Sequence, residues 1–301
     1  MKVLAIAGPT SSGKTAAALE LAERWDPIFV SADAMQVYRG MNIGTGKISP
    51  EILARYPHAG IDIRDPHESF NAVDFAELAD GEIRRGFEES RPVVVVGGTG
   101  FYFRALLEGF VDAPSGDDQL RASLEALDDP YLELEKVDPV LAARLHPNDR
   151  FRILRGLEVH AITGQTLSSL HAAHRPEPRH PVICLGLDRP DLKERIDARV
   201  LQMLDEGYLE EVRTLVDMGY TPETTKPMRS LGYRHLSDHL HGRVDLDEAI
   251  RLTQRDTRKF AKRQRTLLRS IGGFSPCDAS DMKRILELAQ SAWGPERSRV
   301  S

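Results

Sequence analysis

The sequence predicts an α/β fold in which helices cover both faces of a parallel sheet that carries an all-α insertion domain. Short strands that are apolar or nearly so alternate with helices in roughly the first third of the chain. A stretch with helical patterns only follows, and another apolar strand comes after it. Strands that are apolar throughout are typical of parallel sheets buried on both faces. Because a core strand returns after the helical stretch, that stretch is interpreted as an insertion.

The first part of the chain supplies strands and helices of this sheet. The predicted strands span Val3–Ala7, Ile28–Ser31 and Val93–Val96. A helix over Lys14–Trp25 places Ala17, Ala18 and Leu21 inward. Asn71 caps a second helix, which runs to about Glu89.

The middle of the chain is predicted to be purely helical, from about Ser115 to Pro181. It includes helices over Asp138–Leu145 and Asp149–Thr163, and a proline-rich stretch over 175–181 ends it. The run Val182–Leu187 is then predicted to be a core strand. We therefore predict a P-loop-type core of residues 1–114 and 181–301, and a helical insertion of residues 115–180.

Long helices follow the returning strand. They are predicted over Asp191–Met218, about Ser230–His241, and Leu246–Ser270. Asp245 and Glu248 have the spacing of a capping box at the start of the last helix.

Composition narrows the class of protein. The chain has 301 residues and a net charge of −6, so its overall charge does not indicate a nucleic-acid partner. Cys184 and Cys277 lie far apart, which argues against disulfides or a zinc finger. No apolar run approaches the roughly 20 residues of a membrane span, and the first apolar run breaks into Gly8-Pro9 too early for a signal peptide. We expect a soluble cytoplasmic monomer with no membrane partner.

A phosphate-binding loop lies between the first strand and the first helix. The loop is Gly8, Pro9, Thr10, Ser11, Ser12, Gly13, Lys14 and Thr15, which fits the GxxxxGK[ST] pattern. Backbone N–H groups and the helix N-terminus bind phosphate oxygens, Lys14 reaches the outer phosphates, and the Thr15 hydroxyl is a ligand for Mg²⁺. A second cluster, Gly44-Thr45-Gly46-Lys47, lacks the first glycine and the hydroxyl, so it is predicted to be a turn.

The loop indicates phosphate binding but not ATP hydrolysis. The strand Val93–Val96 ends in Gly97-Gly98-Thr99-Gly100 without the acidic residue that normally holds Mg²⁺ and water in a nucleotide hydrolase. Asp33 follows a strand, and a carboxylate there can serve as a base.

Several blocks together resemble the bacterial tRNA dimethylallyltransferases, in the family's order and over about residues 3–270. Besides the phosphate loop, they are Ser31–Thr45, Val96–Tyr102, His146–Asp149, Arg229–Arg234 and Lys262–Thr266. Two positions depart from the family pattern: Ala34 stands where serine is usual, and Gly46 where alanine is usual. The zinc finger of eukaryotic relatives is absent, in agreement with two cysteines.

The resemblance implies transfer of a dimethylallyl group from dimethylallyl diphosphate to N6 of adenosine at tRNA position 37. The phosphate loop then holds the diphosphate with Mg²⁺, and Asp33 is the general base. The residues implied to contact tRNA are Asp33, Ala34, Met35, Gln36, Arg121, Arg229 and Arg234, while Thr99 contacts the target nucleotide and is a catalytic candidate. The helical insertion closes over the anticodon stem-loop.

A basic stripe marks the last long helix. Residues 251–270 carry eight Lys or Arg against one Asp, so they contribute +7 and the rest of the chain −13. Helical spacing puts six of them on one face: Arg251, Arg255, Arg258, Lys262, Arg265 and Arg269. We predict that Arg258, Lys262 and Arg265 contact RNA phosphates, because solvated faces usually mix charge signs.

Two other functions remain open from the residues alone. One is a P-loop kinase for a small metabolite with Asp33 as base, and the other is a non-catalytic RNA-binding protein whose loop senses a nucleotide. The basic helix and the long insertion do not suit a small-molecule kinase. A carboxylate beside a phosphate loop does not suit a mere binding module.

Overall fold

The structure is a computed structural model that describes residues 2–111, 113–114 and 116–296. Residues 1, 112, 115 and 297–301, which the predicted domain bounds include, lie outside it. The chain divides into two compact units, one of residues 1–107 and 178–301 and one of residues 108–177. The sequence had placed the limits of the insertion at 115 and 180.

The first unit is built on a six-stranded parallel sheet of order β3-β2-β4-β1-β5-β6. The strands are β1 Val3–Ala7, β2 Ile28–Ala32, β3 His58–Ala59, β4 Val93–Gly97, β5 Val182–Asp188 and β6 Phe274–Asp278. The predicted parallel sheet is confirmed. The edge strands β3 and β6 were not predicted, because β3 has only two residues and β6 contains Pro276 among polar neighbours.

Helices pack on both faces of this sheet. Those of the first unit are α1 Lys14–Trp25, α2 Pro50–Arg55, α3 Ala72–Glu88, α4 Gly100–Glu108, α10 Leu192–Asp205, α11 Tyr208–Asp217, α12 Tyr233–Leu240, α13 Leu246–Ser270 and α14 Met282–Trp293. Alternate residues of β1 face opposite sides: Val3 and Ala5 pack with α3 and α4, whereas Leu4 and Ile6 pack with α1 and α14. Every helix in the described ranges is too short or too polar to cross a membrane.

The second unit is helical over its described residues. Its helices are α5 Asp118–Glu125, α6 Pro130–Val137, α7 Pro139–Ala142, α8 Arg150–Thr163 and α9 Leu167–Ala173. Leu134, Ala142, Ile153 and Leu157 form its core. Aspartates at the helix starts accept backbone hydrogen bonds, as Asp149 does from Arg152.

Three predicted helices differ from the structure. The helix expected over Asp191–Met218 is broken into α10 and α11, because Gly207 adopts the left-handed conformation with φ of 101°. The helix expected from Ser230 begins at Tyr233, after a short 3₁₀ turn over Lys226–Arg229. The helix expected over Asp138–Leu145 is only the short α7.

The predicted capping box of α13 is half formed. Asp245 accepts a hydrogen bond from the backbone N–H of Glu248. The Glu248 carboxylate does not return to residue 245, since it accepts two hydrogen bonds from Arg251.

Candidate active site

The carboxyl ends of three neighbouring strands bring the candidate residues together. In the register of the sheet, Gly97 of β4 lies opposite both Ala7 of β1 and Ala32 of β2. The phosphate loop, Asp33 and Thr99 each follow one of these three positions. Ligands of parallel α/β sheets bind at this edge, so the topology assembles the predicted site.

The phosphate loop has the backbone of an anion site. Ser11 and Gly13 have φ of 63° and 100°, which turns successive N–H groups inward before α1 begins. The hydroxyls of Ser11 and Ser12 are buried without a hydrogen-bond partner in the described part of the chain. Such polar groups are usually satisfied, and phosphate oxygens would satisfy them.

Lys14 lies over this loop at the start of α1. Its Nζ donates a 2.7 Å hydrogen bond to the carbonyl of Pro9. Burial lowers the pKa of Lys14 from 10.5 to about 8, Asp33 acts in the opposite direction, and Arg199 lowers the pKa further. The effect of burial on the positive charge of Lys14 is therefore only partly offset by Asp33, and a bound anion would offset it further.

Asp33 begins a turn directly after β2. Its Oδ1 accepts a 2.9 Å hydrogen bond from the backbone N–H of Met35. Burial raises the pKa of Asp33, although this hydrogen bond and the nearby Lys14 and Lys47 cations oppose the rise. A carboxylate with a raised pKa is a stronger base than an exposed aspartate.

Thr99 connects two strand ends at the site. Its backbone N–H donates to the carbonyl of Ala32 at 3.1 Å. Its hydroxyl oxygen accepts a hydrogen bond from the backbone N–H of Ala34. The catalytic candidate Thr99 thus contacts the same turn that carries Asp33.

Gln36 connects this turn to the segment that follows. Its Oε1 accepts from the Ser31 hydroxyl at 3.0 Å, and its Nε2 donates to the carbonyls of Thr45 and Gly46 at 3.3 and 3.4 Å. Residues 43–46 form a turn, as predicted. Lys47, the lysine of the second glycine-lysine cluster, has a buried side chain and donates a hydrogen bond to Asp62 at 2.6 Å.

Arg199 of α10 belongs to the site but was missed from the sequence. Its guanidinium lies so close to Gly46 that a Cβ there would collide with Nη2. Burial lowers the pKa of Arg199, and no carboxylate forms an ion pair with it within the described ranges. Arg199 is half-buried, and the nearby Glu206 opposes the lowering of its pKa without forming an ion pair in the described residues. Since a cation partly removed from water without an ion-pair partner is costly, this side chain is suited to an anionic ligand. No sequence signal separated it from the solvated arginines of the same helix.

Gln264 of α13 lies in the family block Lys262–Thr266, and the sequence predicted no role for it. Its Oε1 accepts from the backbone N–H of Thr10 at 3.0 Å, and its Nε2 donates to the carbonyl of Gly98 at 2.8 Å. It is 7% exposed. One buried amide therefore holds the phosphate loop and the loop after β4 together.

The predicted RNA-contacting arginines of α12 and α13 have partners within the protein. Arg258 pairs with Asp197, Arg265 with Asp188 at 2.6 Å, and Arg234 with Asp256 at 3.5 Å. Lys262 is exposed, and no ion pair involves it among residues 2–111, 113–114 and 116–296. The stripe is therefore partly neutralised where it packs on α10 and β5.

Arg229 and Arg121 lie outside this cluster. Arg229 donates to the carbonyl of Pro222 at 2.7 Å. Arg121 lies in the second unit, where its guanidinium stacks on the ring of the exposed Phe151 at 4.9 Å and is 3.9 Å from the buried Glu158.

Protein side chains alone do not form a metal site in the part of the chain described. No group of three or more His, Cys, Asp or Glu residues could hold an ion there. Thr15, the predicted ligand, is exposed at the start of α1. A Mg²⁺ ion that takes most of its ligands from phosphate oxygens and water fits this donor set.

Comparisons with known proteins point to one family. The sequence model of the IPP transferase family matches residues 36–271. The chain is 48% identical over 278 residues to the tRNA dimethylallyltransferase of Geobacter metallireducens, covering 89% of each chain.

Two solved structures are also similar. One is the tRNA isopentenylpyrophosphate transferase of Bacillus halodurans, with 36% identity, a TM-score of 0.71, and coverage of 96% of this chain and 95% of that one. The other is a eukaryotic dimethylallyltransferase acting on tRNA, with 28% identity, a TM-score of 0.82, and coverage of 97% and 76%.

Proposed function

The chain belongs to the IPP transferase family, and we propose that it is a tRNA dimethylallyltransferase. It transfers the dimethylallyl group of dimethylallyl diphosphate to N6 of adenosine 37 in tRNA and releases diphosphate. One observation carries this proposal: the phosphate loop and a half-buried carboxylate, Asp33, meet at one sheet edge, where the charges of Lys14 and Asp33 shift each other's pKa.

The leaving group determines what the loop must do. As the bond between the allyl carbon and oxygen breaks, negative charge accumulates on the diphosphate. Lys14, Arg199 and the loop N–H groups supply positive potential there, and preorganised donors of this kind stabilise a transition state. Gln264 maintains the shape of the loop by holding Thr10.

The nucleophile determines what Asp33 must do. N6 of adenine forms the new bond to the allyl carbon and must lose a proton. The Asp33 carboxylate accepts that proton, so the product amine is neutral and diphosphate carries away the negative charge. Thr99 and Gln36 hold the turn on which Asp33 lies.

The Thr15 hydroxyl would hold Mg²⁺ together with oxygens of the diphosphate. When bound, the ion neutralises charge on the leaving group. The chain's own part is to present Thr15 at the start of α1, beside Lys14.

Each unit has residues that we assign to tRNA contacts. We assign to the nucleotides around the target six residues of the first unit: Asp33, Ala34, Met35, Gln36, Arg229 and Arg234. The phosphate backbone is assigned to Arg258, Lys262 and Arg265. The anticodon stem-loop is assigned to the helical unit with Arg121. The target base must leave its stack to reach Asp33, as in other enzymes that act on a base. We expect a monomer that works in the cytoplasm.

The proposal is tested with an unmodified tRNA transcript, dimethylallyl diphosphate and Mg²⁺, followed by mass analysis of the nucleosides. We expect N6-(dimethylallyl)adenosine, none from a transcript with guanosine at position 37, and almost none from Lys14→Ala. Unchanged nucleosides with an active preparation would exclude this function. Transfer of phosphate from ATP to a metabolite would favour the kinase instead.

A further inference from the structure

Glu211 of α11 makes a group of contacts that neither the loop nor Asp33 explains. Its carboxylate accepts hydrogen bonds from three consecutive backbone N–H groups: Asn42 at 2.8 Å, Ile43 at 2.7 Å and Gly44 at 3.1 Å. The hydroxyl of Tyr233 donates a fourth bond at 2.6 Å. Successive N–H groups that converge on one point form a concave anion site, which we call the 42–44 nest.

The nest packs against helices α11 and α12 of the first unit. Tyr233 is buried, and it packs edge to face on the equally buried Tyr208 at 5.1 Å. A Cβ on Gly44 would collide with the ring of Tyr208. The carboxylate of Glu211 therefore binds the nest at a place where the surrounding contacts, with Tyr208 and Tyr233, are largely apolar.

The nest continues directly into the active site. Gly46 donates to the carbonyl of Ile43 at 2.9 Å, which closes the turn that follows the nest. The carbonyls of Thr45 and Gly46 accept from Gln36, and Arg199 packs against Gly46. A displaced nest would therefore disturb Gln36, three residues from Asp33, and Arg199.

We infer that Glu211 is a positioning residue for transfer, because its carboxylate fills the 42–44 nest and so fixes the turn that orients Gln36 and Arg199. The inference rests on the proposed function for its catalytic consequence. In the described residues no hydrogen bond joins the phosphate loop to the nest, so Arg199 is the one group assigned to the diphosphate that depends on Glu211. The binding of diphosphate should therefore depend on Glu211 less than the reaction with tRNA does.

The chain provides a matched control in the preceding residue. Glu210 lies on the same helix, but its side chain is 70% exposed, and among the described residues its ion pair is with Arg213. Glu210→Gln removes the same charge from α11 without touching the nest. Glu211→Ala empties the nest, and Glu211→Gln replaces one acceptor oxygen by a donor that faces N–H groups.

For Glu211→Ala we expect kcat with tRNA to fall about 10- to 100-fold, the scale of an ångström-sized misplacement in an active site. The KM for dimethylallyl diphosphate should rise by a smaller factor than kcat falls, because Lys14 and the loop N–H groups stay in place and only Arg199 is disturbed. Formate, a small carboxylate that fits the nest, should restore part of kcat in Glu211→Ala and none in Lys14→Ala. Glu210→Gln should match the wild type.

Hydrogen exchange separates this inference from the proposed function. The amides of 42–44 should exchange faster in Glu211→Ala than in wild type or Glu210→Gln, and formate should slow them again. Unchanged exchange would overturn the inference even if the enzyme transferred no allyl group at all. So would a variant that loses only thermal stability while kcat and both KM values stay at the wild-type level.

Discussion

The hydroxyl oxygen of Thr99 lies 2.9 Å from the backbone nitrogen of Ala34 and accepts its hydrogen bond. The end of β4 is thereby joined to the turn that carries Asp33. An unpaired buried N–H costs about 1–3 kcal/mol, so the bond stabilises the turn whatever else the hydroxyl does.

We expect Thr99→Val to lower kcat about tenfold or more, because it removes the acceptor and leaves an unsatisfied donor worth about 1–3 kcal/mol. Thr99→Ser keeps the oxygen and should stay within about threefold of the wild type. Steady-state kinetics with tRNA decides this. Equal loss in both variants would mean that the methyl group matters rather than the hydrogen bond.

Lys14 should impose an alkaline limit on the reaction. Its pKa is lowered to about 8 by burial, so it is charged below that pH and loses its charge above it. Because kcat/KM reports ionisations of the free enzyme, kcat/KM for dimethylallyl diphosphate should fall above about pH 8. Lys14→Arg should abolish this limb, and Lys14→Ala should lower the rate about 10²–10³-fold. A wild-type profile flat to pH 10 would contradict the assignment.

Asp33→Asn should reduce the chemical step about 10²–10⁴-fold, the usual contribution of a general base, while tRNA affinity changes little. Burial raises the pKa of Asp33, so the wild-type rate should decrease as acid protonates it, at a pH above the ordinary 3.8. Single-turnover rates across pH, with tRNA affinity measured in parallel, test this. Recovery of the variant at high Mg²⁺ would instead make Asp33 a metal ligand.

Gln264→Leu should weaken both the loop and the fold. It leaves the N–H of Thr10 and the carbonyl of Gly98 unpaired, at a cost of about 2–6 kcal/mol for the two groups. We expect a lower melting temperature together with a higher KM for dimethylallyl diphosphate. Gln254→Leu, which loses one bond to the Asp197 carbonyl away from the loop, should destabilise without raising that KM.

Lys262→Gln is the clean test of the basic helix. Arg258 and Arg265 also pair with Asp197 and Asp188, so neutralising them would change stability as well as RNA contacts. The log–log salt dependence of tRNA binding should flatten by about 0.7–0.9 for one lost phosphate contact. Lys259→Gln, which removes a lysine 3.7 Å from Asp256, is the control off the stripe. An unchanged slope for Lys262→Gln would mean that Lys262 is exposed to solvent and does not contact an RNA phosphate.

The central strands and the phosphate loop were predictable because local pattern determines them. Val3–Ala7 and Val93–Val96 are apolar without interruption, and the loop motif has a fixed spacing. The break at Gly207 was missed because the apolar periodicity continues across it, so one long helix and two short ones give nearly the same pattern. Strand β3 has only two residues, which carry no pattern at all.

Site residues that act through tertiary contacts could not be found in this way. Arg199 and Gln264 occupy ordinary positions of amphipathic helices, and only the folded chain places one near Lys14 and the other on Thr10. The stripe on α13 was correctly counted as basic, but its neutralising partners Asp188 and Asp197 come from distant parts of the sequence. Local charge patterns do not contain such pairings.

The place of β1 in the sheet has a consequence for how the protein is made. Val3–Ala7 is fully buried between β4 and β5, and β5 begins only at Val182. At about 5–20 residues per second, a ribosome needs about 10–40 s to synthesise the intervening chain. Throughout that interval the nascent chain exposes an apolar strand with at least one edge unpaired, the kind of surface that aggregates or binds chaperones. Yield in the cell should therefore depend on what shields Val3–Ala7 during translation.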